Sequence, residues 1–521
     1  MIPVVSVEEM RAIDAEALKS ISEEALVARA GTAVATCALE LMGGAYARRV
    51  VVLAGKGNNG ADGRVAAGIL ARRGARVSVL DAADSHRVPE TVSGVDLLVD
   101  AAYGTGFRGT YAAPSVARGV RVLAVDIPSG VTGDSGEACG NPARADRTVT
   151  FAALKPGLLQ GAGAILAGEV VVADIGIDTG SARIHLLEDA DMAMLPERPR
   201  YAHKWQSGVA VVAGSPGMAG AALLAAQAAY RAGAGMVRLA VPGSDPAALA
   251  AGEAVVARIP AEAWSGDVLG MAERCKALVV GPGLGRGEET GSEVRRVVAE
   301  SPVPVVIDAD GIFALGGAER LCELMAARRR SGEGTGTPGT PGTPGTPGTP
   351  GTLGAPGIPG APGTRFDPDV VVTPHDGEYA LLAGEAPGPD RIGAARRLSR
   401  RCGAAVLLKG ATTVVASPDG RVLVVIAGPP SLATAGSGDV LSGMAGAFVA
   451  RGVVGMMEAA GLAAHAHGRA AALGPSEGLV AGDLPVLVTR WLSRWRSAAA
   501  SAANAGDADD ASSGLSPRWW R

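Results

Sequence analysis

The sequence predicts an α/β protein of two domains, each built on a parallel sheet with helices packed on its faces. Two observations carry this. Short Val-rich runs recur at 50–54, 77–80, 95–100 and 120–126, and again at 209–213, 236–241, 277–280, 303–308, 370–373 and 405–409. Strands buried on both faces read as such continuous apolar runs. Helical spacing falls between them, most clearly at 65–73 and in the Ala-rich stretch 221–232, and that alternation marks βαβ units. A length of 521 residues fits two or three domains. Ligands on such sheets bind at the C-terminal ends of the strands, so the polar loops there are where chemistry is sought.

Composition narrows the class. Hydrophobic residues make up 48% of the chain and aromatics 3%, so the cores are built from Ala, Val and Leu. A net charge of −4 argues against a nucleic-acid partner, which needs a basic face. Cys37, Cys139, Cys275, Cys322 and Cys402 are scattered without CxxC spacing, as reduced thiols of a cytoplasmic protein are. Residues 1–11 contain acids and no apolar core of signal-peptide length. No uninterrupted apolar run reaches membrane-spanning length, so no membrane partner is expected.

Three boundaries divide the chain. Residues 181–201 mix charges and prolines and read as a linker, which places one domain at 1–190 and a second at 191–495. Residues 336–363 carry glycine at every third position, mostly as Thr-Pro-Gly. Collagen shares that period, but it needs three chains and longer runs, so 332–365 is read as a surface insert. Residues 496–521 are rich in Ala, Ser and Asp and are expected to be a disordered tail.

Three polar loops follow strands of the first domain. Gly55-Lys56-Gly57-Asn58-Asn59-Gly60-Ala61-Asp62-Gly63 is neither the full dinucleotide fingerprint nor a Walker A loop. Its amides and aspartate add oxygen donors to backbone N–H groups, a set that suits a ligand with phosphates, a polar ring and a cation. Asp100 leads to Gly104-Thr105-Gly106-Phe107-Arg108-Gly109, an anion-friendly loop. Asp126-Ile127-Pro128-Ser129-Gly130 closes the third strand. One such loop is an ordinary turn; three at successive strand ends mark a site.

The second domain repeats the design. Gly214-Ser215-Pro216-Gly217 leads to Ala221; Gly281-Pro282-Gly283-Leu284-Gly285, Asp308-Ala309-Asp310-Gly311 and Thr373-Pro374-His375-Asp376-Gly377-Glu378 follow later strands. Lys409-Gly410-Ala411-Thr412-Thr413 follows another, while His465 and His467 sit in an Ala-rich helix and read as structural. The strongest signal is Ala433-Thr434-Ala435-Gly436-Ser437-Gly438-Asp439, which runs into the apolar stretch 440–449. Glycines at a helix start turn several N–H groups outward beside the positive dipole end, which binds phosphate. An aspartate placed there is explained if it takes a proton from a hydroxyl.

Together these motifs resemble the bacterial family of bifunctional NAD(P)H-hydrate repair enzymes over roughly residues 1–490, apart from the Thr-Pro-Gly insert. The resemblance implies an N-terminal Rossmann-like α/β/α epimerase domain and a C-terminal ribokinase-like α/β dehydratase domain. By motif match Asn58, Asn59, Gly60, Ala61 and Asp62 would contact the hydrated nucleotide. Gly104, Thr105, Gly106, Phe107, Arg108, Gly109 and Thr110 would hold its diphosphate, with Asp126 as acid/base beside the ring. Asn59, Asp100 and Ser129 would bind K+. In the second domain Ala221, Gly283, Gly285, His375 and Asp439 would contact the substrate. Lys409, Gly410, Ala411, Thr412 and Thr413, with Gly436, Ser437 and Gly438, would hold ADP or ATP accompanied by Mg2+, and Asp439 would be the base. The family also implies a homo-oligomer. Ala61 stands where the family has Gly, and alanine is strained there if φ is positive. The rivals are a kinase for a vitamin precursor, which the Gly436–Asp439 loop alone would fit, and a scaffold that recruits a partner through the Thr-Pro-Gly tract.

Overall fold

The computed structural model describes residues 1–84, 86–249, 252–333, 369–453, 455–505 and 518–520. The Thr-Pro-Gly insert lies outside these residues except for its first two positions, which end the helix Ala318–Glu333. The chain divides into two compact units: Met1–Leu186 with Gly388–Ala394 and Asn504–Arg521, and Leu187–Pro387 with Ala395–Ala503. The segment 181–201 is more ordered than a linker, for it carries the strand Ile184–Leu186 and the 3-10 helix Asp189–Met194.

The first unit holds a parallel sheet in the order Arg76–Asp81, Arg49–Ala54, Leu97–Ala101, Arg121–Val125, Arg147–Phe151, Glu169–Ala173. Val50 lies opposite Val77 and Leu97, so the β-branched runs stack across neighbouring strands. One face packs Val52, Val99, Val125 and Val149 against Val34 and Ala38 of the helix Glu23–Met42 and Leu70 of the helix Asn58–Arg72. By length and composition Glu23–Met42 could cross a membrane, but Ala30, Val34, Ala35 and Ala38 are buried in this core. Ser22 caps its start and Gly43, at φ 69°, ends it, the left-handed stop that glycine allows.

The second unit orders its strands Val255–Ala257, Met236–Ala240, Gly208–Val212, Ala277–Val280, Val305–Ile307, Val370–Val372, Ala405–Leu408, all parallel. The all-parallel expectation needs one correction here. Thr413–Ala416 and Val422–Val425 continue the sheet antiparallel, because Ser417-Pro418-Asp419-Gly420 is a tight-turn sequence. The helix Ser437–Ala450 is buried throughout from Val440 onward and packs on the helix Ala219–Arg231. The approach is close enough that a Cβ on Gly443 would collide with the Ala225 carbonyl oxygen. Gly443→Ala is therefore expected to destabilise this unit by about 1–3 kcal/mol through overpacking, read as a lower denaturant midpoint.

Of the expected tail 496–521, residues 506–517 and 521 lie outside the described residues. The helix Leu484–Ala505 continues through 496–505, where alanine favours helix. Arg518–Trp520 then forms an edge strand antiparallel to Glu169–Ala173.

Candidate active sites

In the first unit the glycine-rich segment is not a loop. It forms the first turns of the helix Asn58–Arg72, capped by Gly57, so its N–H groups face the strand ends with no intrahelical acceptor. Gly60 is obligatory, since a Cβ there would run into the Gly55 carbonyl oxygen. Ala61 is inside the helix and is not among the non-glycine residues with positive φ. The departure from glycine therefore carries no backbone strain.

The strand ends bring the predicted acids and amides together. Asn59 Nδ2 donates to the Val125 carbonyl at 2.8 Å. A Cβ on Gly104 would lie 3.2 Å from both Asn59 Oδ1 and Asp126 Oδ2, so that glycine leaves room between them. Asp126 has φ 67°, and the Ile127 N–H donates back to the Val125 carbonyl at 2.8 Å. This γ-turn is strained for a non-glycine residue, and the Asp126 N–H to Val149 O bond at 2.7 Å helps to hold it. Asp62 is buried beside Asp126; burial, then the Asp126 charge, push its carboxyl up to about 8.

Asp100 and Ser129 are bound to each other. Asp100 is 2% exposed and accepts from the Ser129 hydroxyl at 2.6 Å and from the Ser129 N–H at 2.9 Å. Burial pushes its carboxyl above the usual range, against the pull of those hydrogen bonds. Among the described residues no lysine or arginine pairs with it. Hard oxygens around a buried carboxylate that lacks a cationic partner suit an alkali ion. In the 104–110 loop Phe107 packs on Tyr103 with ring centroids 4.7 Å apart, and Arg108 is exposed.

In the second unit Gly436, at φ 89°, caps the helix Ser437–Ala450 and sets Asp439 in its first turn. The Ser437 N–H is engaged by Thr434 O at 3.3 Å, which leaves the amides of the following turn as the free donors of the nest. A Cβ on Gly438 would sit 3.5 Å from Lys409 Nζ and 3.6 Å from Asp308 Oδ2. Lys409 bonds Asp308 Oδ1 at 2.7 Å and approaches Glu378 Oε2 at 3.6 Å. Burial opposes its charge, but the two carboxylates more than offset this and hold its pKa above the ordinary value. Asp308 is fully buried, and among the described residues its Oδ2 has no hydrogen-bond partner. Burial, then the Asp308 charge, raise the Asp439 carboxyl to about 6.

The neighbouring loops are laced to this point. Gly283, at φ 66°, packs near Ala221, and its carbonyl accepts from Ser215 Oγ at 3.0 Å. The Gly285 N–H donates to Asp310 Oδ2 at 2.9 Å. His375 caps the helix Asp376–Ala383, its Nδ1 accepting from Gly377 N–H at 3.0 Å, and its Nε2 lies 3.4 Å from Glu378 Oε1. His465 donates to or accepts from Asp189 Oδ1 at 2.8 Å, and His467 is buried in the same helix, the structural placement expected of both.

The chain thus has the makings of a nucleotide-handling enzyme with two sites, each at the strand ends of its own parallel sheet. The family described as NAD(P)H-hydrate dehydratase matches residues 209–329 and 363–494, and the YjeF-related protein N-terminus family matches 23–92 and 80–157. The bifunctional NAD(P)H-hydrate repair enzyme of Mycobacterium tuberculosis (strain ATCC 25618 / H37Rv) is 36% identical over 86% of this chain and 89% of its own length. That of Salinibacter ruber is 33% identical over 94% and 96%. The chain belongs to the bifunctional NAD(P)H-hydrate repair enzyme family. Among solved structures, the ADP/ATP-dependent NAD(P)H-hydrate dehydratase from Bacillus subtilis, co-crystallized with ATP/Mg2+, aligns with 59% of this chain and 97% of its own at 24% identity and a TM-score of 0.44.

Two residues that contact Asp126 carried no motif. Lys155 and Thr150 reach Asp126 from the next strand and its exit; a lone lysine before Pro156-Gly157, after the apolar run 151–154, was the available signal.

Proposed function

We propose that the chain repairs hydrated NADH and NADPH, interconverting the R and S forms in the first unit and dehydrating the S form in the second at the expense of ADP or ATP. The observation that carries this is Asp439, a partly protonatable carboxylate in the first turn of a glycine-capped helix, in a chain that also sets Asn59, Asp100 and Asp126 at the strand ends of another sheet.

In the dehydratase site the amides of the helix start at Gly436 and Gly438 stabilise charge on the transferred phosphoryl group, while the Ser437 N–H stays with Thr434 O. Asp439 accepts the proton of the attacking ring hydroxyl, and Ala221, Gly283, Gly285 and His375 line the substrate side. The phosphate ester then eliminates, because phosphate leaves far more readily than hydroxide. Lys409, Gly410, Ala411, Thr412 and Thr413 hold the nucleotide. Mg2+ is held through phosphates with one or two carboxylates, and the unpartnered Asp308 Oδ2 fits that role. When bound, the ion would offset phosphate charge. In the epimerase site Asp126 is the acid/base group, the 104–110 loop takes the diphosphate, and Asn59, Asp100 and Ser129 would hold K+.

The test is incubation of hydrated NADPH with the protein and ADP or ATP, with recovery of the reduced-nicotinamide absorbance expected. No recovery, alongside phosphorylation of a vitamin alcohol, would overturn the reading in favour of a kinase. Deleting 336–363 is expected to leave turnover largely intact; loss of both activities in the folded deletion variant would favour the scaffold reading.

A pH dependence follows from Asp439. A base must be deprotonated to act, and burial holds this carboxyl at about 6. Dehydration is therefore expected to fall as pH drops through about 6, whereas a carboxylate at its ordinary value would keep its rate down to about pH 4. A rate profile of the S form under nucleotide saturation checks this.

A further inference from the structure

Lys155 has no place in the roles assigned above, yet it is 2% exposed and its ammonium is fully engaged at the back of the epimerase site. It donates to Asp126 Oδ1 at 2.8 Å, Thr150 Oγ1 at 2.8 Å and the Phe151 carbonyl at 3.0 Å. An ammonium has three protons, and three acceptors take them, so none is left for a substrate. Thr150, itself fully buried, donates its hydroxyl to the same Asp126 Oδ1 at 3.1 Å. The two oxygens of Asp126 are thereby made unlike. Oδ1 is anchored by lysine and threonine, whereas Oδ2 has, among the described residues, only a long 3.4 Å approach from the Thr105 N–H and lies beside Gly104, as does Asn59 Oδ1.

The backbone is bent to bring this about. Ala152 has φ 62°, and the Ala153 N–H donates to the Phe151 carbonyl at 2.7 Å, a second strained γ-turn one strand away from that of Asp126. The Leu154 N–H to Pro3 O bond at 3.0 Å and the Gly157 N–H to Gly133 O bond at 2.7 Å fix the chain on either side of Lys155. Two strained turns that converge on one ion pair point to a geometry maintained for function.

We propose that Lys155 is a positioning residue of the epimerase site, which with Thr150 clamps Asp126 Oδ1 so that Oδ2 is the oxygen presented to the nicotinamide ring. The inference rests on the proposed epimerase function. In each direction Asp126 Oδ2 takes the proton of the ring hydroxyl as the bond from the hydroxyl-bearing carbon to the ring nitrogen breaks, its electron pair going to that nitrogen. Oδ2 gives the proton back when the nitrogen closes on the other face of the carbonyl so formed; the lysine keeps all of its own protons.

The test measures kcat and KM for R/S interconversion with the full-length protein. Lys155→Met is expected to lower kcat about 10²-fold, the size of a misaligned acid/base group, with KM changed less than about threefold. Lys155→Arg is expected to recover part of kcat. Thr150→Val, which keeps the volume and removes one clamp, is expected to lower kcat about tenfold with KM unchanged. Should Lys155→Met fail to fold by circular dichroism, Thr150→Val and Lys155→Arg decide the matter. Wild-type kcat in Thr150→Val, or a folded Lys155→Met variant with wild-type kcat, overturns the proposal while the epimerase reading stands. A wild-type protein that does not interconvert the epimers overturns both.

Discussion

Asp439→Asn is expected to reduce dehydration of the S form by about 10²–10⁴-fold, the range over which a positioned general base contributes, while R/S interconversion continues at the wild-type rate. The substitution is nearly isosteric and sits in the first turn of the helix Ser437–Ala450, whose cap is Gly436 and not the aspartate. The helix start and its free amides therefore survive. What is lost is proton acceptance from the hydroxyl, together with one negative charge among Asp308, Asp310 and Glu378. Losing that charge removes repulsion near the nest, so nucleotide binding should hold or tighten as dehydration fails. Nucleotide affinity by calorimetry beside the dehydration rate separates this from general damage: a weaker nucleotide complex with retained turnover would mean that Asp439 holds the ligand and does not act as base.

Much of this fold is legible in the sequence because parallel strands buried on both faces are written as Val-rich runs. The run at 277–280 is the strand Ala277–Val280 itself, and the Gly436–Asp439 helix start falls where small residues followed by an apolar stretch place it. The segment 58–62 is different. Glycine and asparagine are poor helix formers, so a local reading makes it a loop; it becomes helical because Gly57 caps it and Gly60 lets it pass the Gly55 carbonyl. The hairpin after Ala405–Leu408 is signalled by Pro418-Asp419-Gly420, yet its strands look like any other Val run. Lys155 marks the limit of local reading, since its bond to Asp126 depends on two γ-turns at the ends of adjacent strands. Pairings between residues far apart in sequence are set by the sheet, and no spacing rule reaches them.

Asp126→Asn is expected to do the reverse of Asp439→Asn: epimerisation falls by at least about 10²-fold, and the S form is dehydrated at the wild-type rate. Two effects must be separated, because Asp126 is also half of a buried ion pair with Lys155, the side chains 13% and 3% exposed. Removing one partner of such a pair leaves an uncompensated charge and costs about 3–5 kcal/mol when nothing replaces it. An amide oxygen in the place of Oδ1 still accepts from Lys155 and Thr150, so the cost should lie at or below the low end of that range. If the first unit unfolded, both the epimerase rate and the cooperative melting of that unit would vanish together. The expected result instead is a folded unit with a lowered melting temperature, an intact dehydratase and no interconversion. Asp126→Asn combined with Lys155→Met then discriminates further. The double variant removes the stranded ammonium and should regain stability without regaining epimerisation, since the proton-accepting Oδ2 is still missing. Recovery of activity together with stability would mean that the pair serves the fold and that another group moves the proton.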